Sequence, residues 1–355
     1  MKRTRVAVLY GGRSVEREVS RISARTIVGA LDPARYEVIP LAVGEDGRFL
    51  RPEESAKLLA TGVVPERFRG GAGPAAGEAL VPAEIAPGRI DVVFPIIHGT
   101  TGEDGALQGF LETLGVPYVG AGVTASAVGM DKAIFKAVLR DAGLPTPRAV
   151  VLRSADEAPL AAALPLPVFV KPSNGGSSVG VTKVKRAADL AAAVEVALRY
   201  DERALVEEGI DAREIECAVL GNDQPRASIP GEIVPGHEFY DYDDKYRDDK
   251  AQLLIPAPVS PAVVEEAQRL SVAVFRLCGV SGMARVDFFL ERGTDRVLIN
   301  EINTLPGFTA TSAYPKLWEA SGVPLPALLD ELVRLALERQ ARRGRLLTKP
   351  PAELA

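Results

Sequence analysis

The chain of 355 residues is 47% hydrophobic and 25% charged, with a formal net charge of −5. This composition is typical of a globular protein of two or three domains, and the negative charge disfavours general attraction to nucleic acid or to an anionic membrane. The two cysteines have no paired spacing, no apolar run is long enough to span a bilayer, and the first residues lack the apolar core and cleavage site expected of a signal peptide. We therefore expect a cytoplasmic protein without a disulfide framework or a zinc site.

The first third of the chain is predicted to alternate buried parallel strands with helices, as α/β domains do. Glu16 begins the helix after the first strand, where its carboxylate could complement the helix dipole or project over the sheet edge that binds ligands. His98 ends the third strand in a glycine-rich segment, and either a structural or a functional role fits it. The predicted strands cover residues 6–10, 36–43 and 90–97, and the predicted helices cover 14–31 and 106–114.

Residues 118–125 match the dinucleotide fingerprint G-x-G-x-x-A, but only a short strand precedes them, so we interpret them as a linker. A helix is predicted over 131–142. Lys132 lies in its first turn, where a cation is unfavourable unless it faces an anion. A domain boundary is expected near Met130.

A segment rich in glycine and serine, 173–180, lies between two predicted strands and follows Lys171. The backbone N–H groups and hydroxyls of such a loop can surround phosphate oxygens, although a flexible hairpin is the simpler alternative. It is not a Walker loop, because neither Gly-Lys-[Ser/Thr] nor a helix follows. The neighbouring lysine favours a phosphate-binding role.

Further along, strands are predicted over 204–210 and 214–220, with a possible hinge between them, and helices over 261–277 and 325–339. Residues 239–249 are dense in charged and aromatic side chains, which is too polar for a core strand. We expect this segment to form an exposed lid loop.

The stretch 283–303 is predicted to form two short strands joined by a turn at 293–295. This turn would set Asp287 opposite Glu301. The period of two assigns Arg285, Asp287, Phe289, Glu301 and Asn303 to one face and Val286, Phe288, Leu290, Leu298, Asn300 and Ile302 to the other.

Asp287, Glu301 and Asn303 would place hard oxygen ligands on one patch of sheet. Mg²⁺ prefers such ligands, commonly one or two carboxylates together with substrate phosphates. A solvated strand face is the simpler alternative, but these strands are strongly apolar, and acidic groups on a buried face need a counter-ion. The sequence therefore predicts a metal site to which the rest of the chain brings a nucleotide and an acceptor.

Taken together and in this order, the motifs resemble the D-alanine–D-alanine ligase family of the ATP-grasp superfamily over nearly the whole chain. The matching segments are Leu9–Ser20, His98–Gly105, Met130–Lys132, Val170–Gly180, Phe239–Tyr246, Ala284–Asp287, Glu301–Thr309 and Ser312. The resemblance implies an α/β protein of three domains, with α+β architecture in its ATP-grasp part. These would be an N-terminal substrate-binding domain (1–129), a central ATP-grasp subdomain (130–215) and a C-terminal ATP-grasp subdomain (216–355) with the lid.

The resemblance also implies ATP and two Mg²⁺ ions, for which Mn²⁺ could substitute, D-alanine as substrate, and a homodimer. The implied metal ligands are Asp287, Glu301 and Asn303. The residues implied to contact the nucleotide are Lys132, Lys171, Glu207, Glu208, Ile210, Glu214, Lys245 and Phe289. The residues implied to act on the amino acids are Glu16, His98, Ser177, Tyr246, Arg285, Gly307 and Ser312.

In the implied reaction, ATP phosphorylates one D-alanine carboxylate and the amine of a second D-alanine attacks the acyl phosphate, giving a peptidoglycan precursor. Ala313 stands where the family usually has Leu or Met, which leaves the acceptor open, whereas the Lys245-Tyr246 pair indicates an amine acceptor. The alternatives are another ATP-grasp carboxylate–amine ligase or a D-Ala–D-X ligase, an NAD-dependent oxidoreductase, and a non-catalytic nucleotide-binding protein.

Overall fold

The computed structural model describes residues 2–64, 82–236 and 251–347. Within these ranges, three β-sheets follow one another along the chain, and helices pack against each. The predicted lid, 239–249, with Lys245 and Tyr246, lies outside the described residues. None of the helices in the described ranges is both long enough and apolar enough to cross a membrane.

The first sheet is parallel, with the strand order β2-β1-β3. Its central strand is fully buried from Val6 to Tyr10, because its neighbours and the helices cover both faces. Gly11 has φ of +95°, and a Cβ there would lie 2.4 Å from the Val43 carbonyl oxygen, so only glycine fits this turn into the first helix. The elements are β1 (Thr4–Gly11), α1 (Arg17–Ala30), β2 (Tyr36–Val43), α2 (Pro52–Thr61), β3 (Val92–Pro95) and α3 (Ala106–Leu114).

The segment 118–125, which we interpreted as a linker, is structured, so that prediction is wrong. Tyr118 pairs with Val93 in a parallel bridge, and α4 (Val123–Met130) begins directly after the glycine turn. The turn is filled by the buried side chain of Arg339, which donates hydrogen bonds to the carbonyls of Gly120 (2.5 Å) and Tyr118 (3.3 Å). Arg339 thus ties the glycine turn to the C-terminal part of the chain.

The second sheet is antiparallel, with the strand order β4-β7-β5-β6. Val170 and Val206 on its central strands are fully buried against Val194 of the helix that covers one face. The elements are α5 (Lys132–Asp141), β4 (Ala149–Leu152), β5 (Val168–Pro172), β6 (Thr182–Val184), α6 (Leu190–Ala197) and β7 (Ala204–Glu208). The helix α5 begins at Asp131, whose carboxylate accepts from the backbone N–H groups of Ala133 and Ile134, as an N-cap does.

The third sheet has the strand order β11-β10-β8-β12-β13, with β9 paired to β8. Val274 and Phe275 of the helix Pro261–Leu277 are fully buried against one face of this sheet. The two later helices, Ala313–Ala320 and Leu325–Arg343, pack with Phe308 against the first sheet. The elements are β8 (Ala212–Gly221), β9 (Arg226–Ala227), β10 (Gly231–Val234), β11 (Gln252–Leu254), α7 (Pro261–Leu277), β12 (Gly282–Glu291), β13 (Val297–Asn303), α8 (Ala313–Ala320) and α9 (Leu325–Arg343).

The predicted hairpin is formed by β12 and β13, and Asp287 pairs with Glu301 as predicted. The turn is longer than expected, since Leu290 pairs with Val297, and a β-bulge between Asp287 and Phe288 restores the predicted pairing. The bulge also changes which face some residues occupy. Leu298 pairs with Phe289 and Ile299 joins the core, while Asn300 lines a cavity, so placing Leu298 and Asn300 behind the site was wrong.

Candidate active site

Two adjoining cavities lie where the three sheets meet. The first, about 620 Å³, lies between the second and third sheets and is called the inter-sheet cavity. The second, about 640 Å³, is bounded by the first sheet's loops and the segment after β13 and is called the N-terminal cavity. The residues lining both include Lys132, Gly176, Ser177, Glu216, Arg285 and Glu301. A molecule in one cavity could therefore react with a molecule in the other across this shared boundary.

Carboxylates from three adjacent strands form one row across the third sheet. Asp287 pairs with Glu216 of β8 on one side and with Glu301 of β13 on the other. Side chains that face each other on neighbouring strands are about 5 Å apart, where like charges repel. Such a row needs cations to be stable.

Arg285 supplies one of these cations. Its guanidinium donates two hydrogen bonds of 2.6 Å to the Asp287 carboxylate and lies 3.3 Å from the Glu216 carboxylate. Burial opposes the charge, but Asp287 and Glu216 hold the pKa of Arg285 well above its ordinary value. A buried and permanently charged guanidinium thus faces the boundary between the cavities.

The oxygen donors here fit a hard divalent cation. Asp287 and Glu301 contribute carboxylates, and Asn303 is paired with Arg285 on the neighbouring strand and lines the N-terminal cavity. Across residues 2–64, 82–236 and 251–347, no three His, Cys, Asp or Glu side chains are grouped so that they alone could hold a metal ion. Mg²⁺ does not require one, because it commonly takes one or two carboxylates and completes its shell with water and phosphate.

One lysine of the second sheet and one at the start of α5 face this row. Lys171 ends β5 and donates a hydrogen bond of 2.7 Å to the Glu207 carboxylate, while Lys132 at the start of α5 donates one of 2.5 Å to the Gly175 carbonyl. Both lysines line the inter-sheet cavity. Cations on one side and acids on the other suit a polyphosphate with its metal.

The glycine- and serine-rich segment lies between the two cavities. Ser177 and Ser178 have φ of +51° and +58°, in the left-handed region that non-glycine residues rarely adopt. This conformation aims the Ser177 hydroxyl at Glu16, to which it donates a hydrogen bond of 2.5 Å. Glu16 itself stands at the N-terminus of α1, over the carboxyl edge of the first sheet, and lines the N-terminal cavity.

His98 and Glu103 lie beside Glu16. His98 is buried, which lowers its pKa, and its Nε2 atom has no hydrogen-bond partner among the described residues. Glu103 accepts a hydrogen bond of 2.8 Å from the Gly99 N–H. Burial, reinforced by the negative charge of Glu16, raises the pKa of Glu103 to about 8. Sequence reasoning missed Glu103, although its glycine-rich context next to His98 was a usable signal.

The segment after β13 closes the other wall of the N-terminal cavity. Ser312 is the residue before α8, and its hydroxyl accepts a hydrogen bond of 2.9 Å from the Thr309 N–H. Gly307 approaches it so closely that a Cβ at Gly307 would lie 2.8 Å from Ser312 Oγ. Ala313 follows and lines the same cavity, together with Val19 and Ile22 of α1.

The remaining predicted residues lie around the hinge between β7 and β8. Glu208 is held by Arg148, which donates to it from its backbone N–H (2.8 Å) and from Nε (2.7 Å). Ile210 and Glu214 line the inter-sheet cavity, and Glu214 pairs with Phe289 on β12. The Glu207 carboxylate lies between two lysines, Lys171 and Lys136.

Comparison with known proteins identifies the family. The family model for the D-ala D-ala ligase N-terminus matches residues 5–121, and that for the D-ala D-ala ligase C-terminus matches residues 138–334. The chain belongs to the D-alanine–D-alanine ligase family. It is 45% identical to a D-alanine–D-alanine ligase of Thermoanaerobacter sp. (strain X514), with 97% of this chain and 99% of that protein covered. It is 46% identical to one of Solibacter usitatus, with coverages of 96% and 97%.

Two solved structures share the fold of this chain. The structure of the D-alanine–D-alanine ligase from Coxiella burnetii superposes with a TM-score of 0.83 at 38% identity, covering 97% of each chain. The VanG D-Ala:D-Ser ligase from Enterococcus faecalis superposes with a TM-score of 0.79 at 31% identity, covering 94% of this chain and all of that one. The predicted fold class and family are therefore confirmed.

Proposed function

We propose that the protein is an ATP-dependent ligase that joins two D-alanines into D-alanyl-D-alanine through a D-alanyl phosphate, releasing ADP and phosphate for peptidoglycan precursor synthesis. The observation that carries this proposal is the shared boundary of the two cavities. There, the lysines and the row of acids suit a nucleotide triphosphate, and the Glu16–Ser177 pair and Arg285 suit a zwitterionic amino acid. Family membership supports the same activity.

In this proposal, ATP fills the inter-sheet cavity. The hinge residues Glu207, Glu208 and Ile210 surround adenine, and Glu214 binds the ribose beside Phe289. Lys132 and Lys171, together with Lys245 of the lid, neutralise the phosphates. Lys171 and Lys132 already line this cavity, and Phe289 lies on the neighbouring strand to Glu214, which supports the assignment.

Asp287, Glu301 and Asn303 would hold two Mg²⁺ ions, or Mn²⁺ in their place. When bound, these ions neutralise charge on the transferring phosphate. The chain's own part is to present oxygen ligands on adjacent rigid strands, so that little reorganisation is needed. Before a metal binds, the Arg285 guanidinium balances the negative charge of the Asp287 carboxylate.

The first D-alanine would lie in the N-terminal cavity. Glu16 would bind its ammonium group, with His98 nearby, and Ser177 and Tyr246 would tie Glu16 to the lid. Arg285 and the Gly307 N–H would stabilise the oxyanion that forms when the second amine attacks. Ser312 would bind the carboxylate of the second D-alanine. The closed lid would exclude water, to which an acyl phosphate is vulnerable.

The nearest alternative is an ATP-grasp carboxylate–amine ligase with a different acceptor, including a D-Ala–D-X ligase. Ala313 makes a roomier wall than a Leu or Met would, and one structural relative is a D-Ala:D-Ser ligase. A nicotinamide-dependent oxidoreductase is disfavoured, because hydride transfer would leave the acidic row of the third sheet without a role. A non-catalytic nucleotide-binding protein is disfavoured by the paired acid and lysine walls.

We further propose a cytoplasmic homodimer of three domains, with the divisions expected near residues 129 and 215. The second division lies just before β8 (Ala212–Gly221), because a boundary between residues 215 and 216 would cut this strand of the third sheet.

The test is release of ADP by the purified protein with ATP, Mg²⁺ and D-alanine, with the product identified by mass. We expect D-alanine-dependent ADP release and a product with the mass of the dipeptide. A panel of D-amino acids and D-lactate, offered in competition near neutral pH, tests the acceptor. Preferential formation of D-alanyl-D-lactate, or ADP release only with another acceptor, would overturn the proposed substrate.

A further inference from the structure

Lys136 is a buried cation that the proposed reaction does not use. It lies in the middle of α5, and only 3% of its side chain is exposed. Its ammonium group forms an ion pair with Glu207 and donates a hydrogen bond of 2.9 Å to the Thr146 hydroxyl. An apolar side chain would fill this site without the desolvation cost of a buried charge. What Lys136 contributes instead is the orientation of the two groups that it contacts, Glu207 and Thr146.

Glu207 is shared between two lysines. One carboxylate oxygen, Oε1, accepts from Lys171 at 2.7 Å, and the other, Oε2, pairs with Lys136. Burial alone would raise the pKa of Glu207, but Lys136 and Lys171 together lower it to about 2. Burial and the neighbouring Lys171 lower the pKa of Lys136, whereas the Glu207 carboxylate opposes this shift. With both lysines protonated, the group of one carboxylate and two ammonium ions carries a net positive charge beside the inter-sheet cavity.

The same contacts reach the predicted metal-binding strand. The Thr146 hydroxyl donates a hydrogen bond of 3.0 Å to the Ile299 carbonyl, and the Ile299 N–H donates one of 2.8 Å to the Pro145 carbonyl. Ile299 precedes Asn300 and Glu301 on β13. A continuous set of contacts thus runs from Lys171 through Glu207, Lys136 and Thr146 to β13.

We propose that Lys136 is a positioning residue for the nucleotide phosphates, a role that rests on the proposed use of ATP. It holds Glu207 so that Lys171 faces the cavity, and it fixes the second sheet against β13. Without Lys136, Glu207 would have Lys171 as its remaining lysine partner. The pair would then be neutral, and Lys171 would interact less strongly with phosphate.

The first experiment compares Lys136→Met with the wild-type protein. We expect the Kd for a non-hydrolysable ATP analogue with Mg²⁺, measured by calorimetry, to rise about tenfold or more, as loss of a charged contact does. The KM for D-alanine should stay within about twofold, because Lys136 is not among the residues that line the N-terminal cavity. Lys57→Met, on the exposed surface of α2, is the matched control and should bind as wild type does.

A double-mutant cycle tests whether Lys136 acts through Glu207. If it does, adding Lys136→Met to Glu207→Gln should change nucleotide affinity far less than adding it to the wild-type protein. Full additivity, or a folded Lys136→Met protein that binds the analogue within about twofold of wild type, would overturn the proposal. Equal losses of nucleotide and D-alanine affinity would also overturn it, since they indicate a general loss of structure.

If Lys136→Met does not fold, Thr146→Val gives the answer. This variant retains the Lys136–Glu207 pair and loses the hydrogen bond to β13. A raised KM for ATP with an unchanged KM for D-alanine supports the proposal, and unchanged values for both refute it. Because the binding assay needs no turnover, a protein that binds nucleotide but does not ligate D-alanine would contradict the proposed function alone.

Discussion

The Ser177 hydroxyl donates a hydrogen bond of 2.5 Å to the Glu16 carboxylate, which joins residues 161 positions apart. This bond connects the glycine- and serine-rich loop of the second sheet to the first helix of the chain. It lies at the boundary of the two cavities, since Ser177 lines both and Glu16 lines the N-terminal cavity. Loop closure and orientation of the carboxylate proposed to bind substrate therefore depend on the same contact.

Replacement of Ser177 by alanine removes this bond. A hydrogen bond to a charged group contributes roughly 1.5–3 kcal/mol, so we expect kcat/KM for D-alanine to fall by about ten- to a hundredfold. Affinity for the ATP analogue should fall less, since Lys132 and Lys171 are also proposed to hold the phosphates. Steady-state kinetics measure kcat/KM for D-alanine, and calorimetry measures the Kd for the ATP analogue, with Ser154→Ala as the control. Unchanged kinetics for D-alanine would count against the role of this contact.

Replacement of Asp287 by asparagine removes both a proposed metal ligand and the bidentate partner of Arg285. Metal contacts are worth several kcal/mol to a phosphoryl transfer, so turnover should fall by on the order of a thousandfold. The residual activity should require much higher Mg²⁺, which a titration of ADP release measures. Glu291→Gln, at the far end of the same strand, is the control. Full activity of the Asp287 variant at ordinary Mg²⁺ would remove this residue from the metal site.

Glu103 gives a prediction for the pH dependence of stability. Its pKa is raised to about 8 in the unligated fold, above the ordinary value of 4.5 that the unfolded chain retains. Below pH 4.5 the Glu103 carboxyl is protonated in both the folded and the unfolded state, so its titration does not change the free energy of unfolding. As the pH rises toward 8, the unfolded state gains by ionising, so the wild-type protein loses stability over this interval.

Glu103→Gln abolishes this titration. The free energy of unfolding of the variant, relative to the wild type, should therefore increase from pH 5 to pH 8 and then level off. The gain should be on the order of 3 kcal/mol. Urea unfolding of the ligand-free proteins at several pH values measures it, with the exposed Glu202→Gln as the control. A difference that does not vary with pH would show that Glu103 is ionised throughout.

The small side chain of Ala313 indicates an acceptor pocket that can also admit D-amino acids larger than D-alanine. It lines the N-terminal cavity together with Val19 and Ile22, and a larger side chain at this position would reduce the volume of the cavity. We expect Ala313→Leu to lower kcat/KM for D-2-aminobutyrate as acceptor at least about tenfold relative to D-alanine, since one methylene decides such selectivity. Ala320→Leu, exposed on the same helix, should leave the ratio unchanged. An unchanged ratio in Ala313→Leu would place the acceptor elsewhere.

Much of the fold follows from local sequence pattern. The bounds of β2, α3 and α7 agree with the predicted 36–43, 106–114 and 261–277, because apolar periodicity and the glycine and proline residues near their ends specify them locally. The linker prediction for 118–125 failed for the opposite reason. The glycine turn there is completed by Arg339 from the far end of the chain, which no local pattern reveals.

In the candidate site too, some features follow from local sequence and others depend on residues far apart in the chain. The pairing of Asp287 with Glu301 followed from strand period and turn position, although a bulge was needed to produce it. That bulge, and with it the place of Asn300 at the inter-sheet cavity, depends on pairing across the sheet and is not visible in one strand. Lys136 had no distinguishing signal, because a lysine within a helix is normally solvent-exposed.

The two hydrogen bonds between Arg285 and Asp287 mean that the acidic row carries its own counter-ion within the sheet. Structural zinc sites behave differently, because their domains unfold when the ion is withdrawn. We therefore expect a chelator to inactivate this protein without unfolding it. Adding back magnesium should restore the activity.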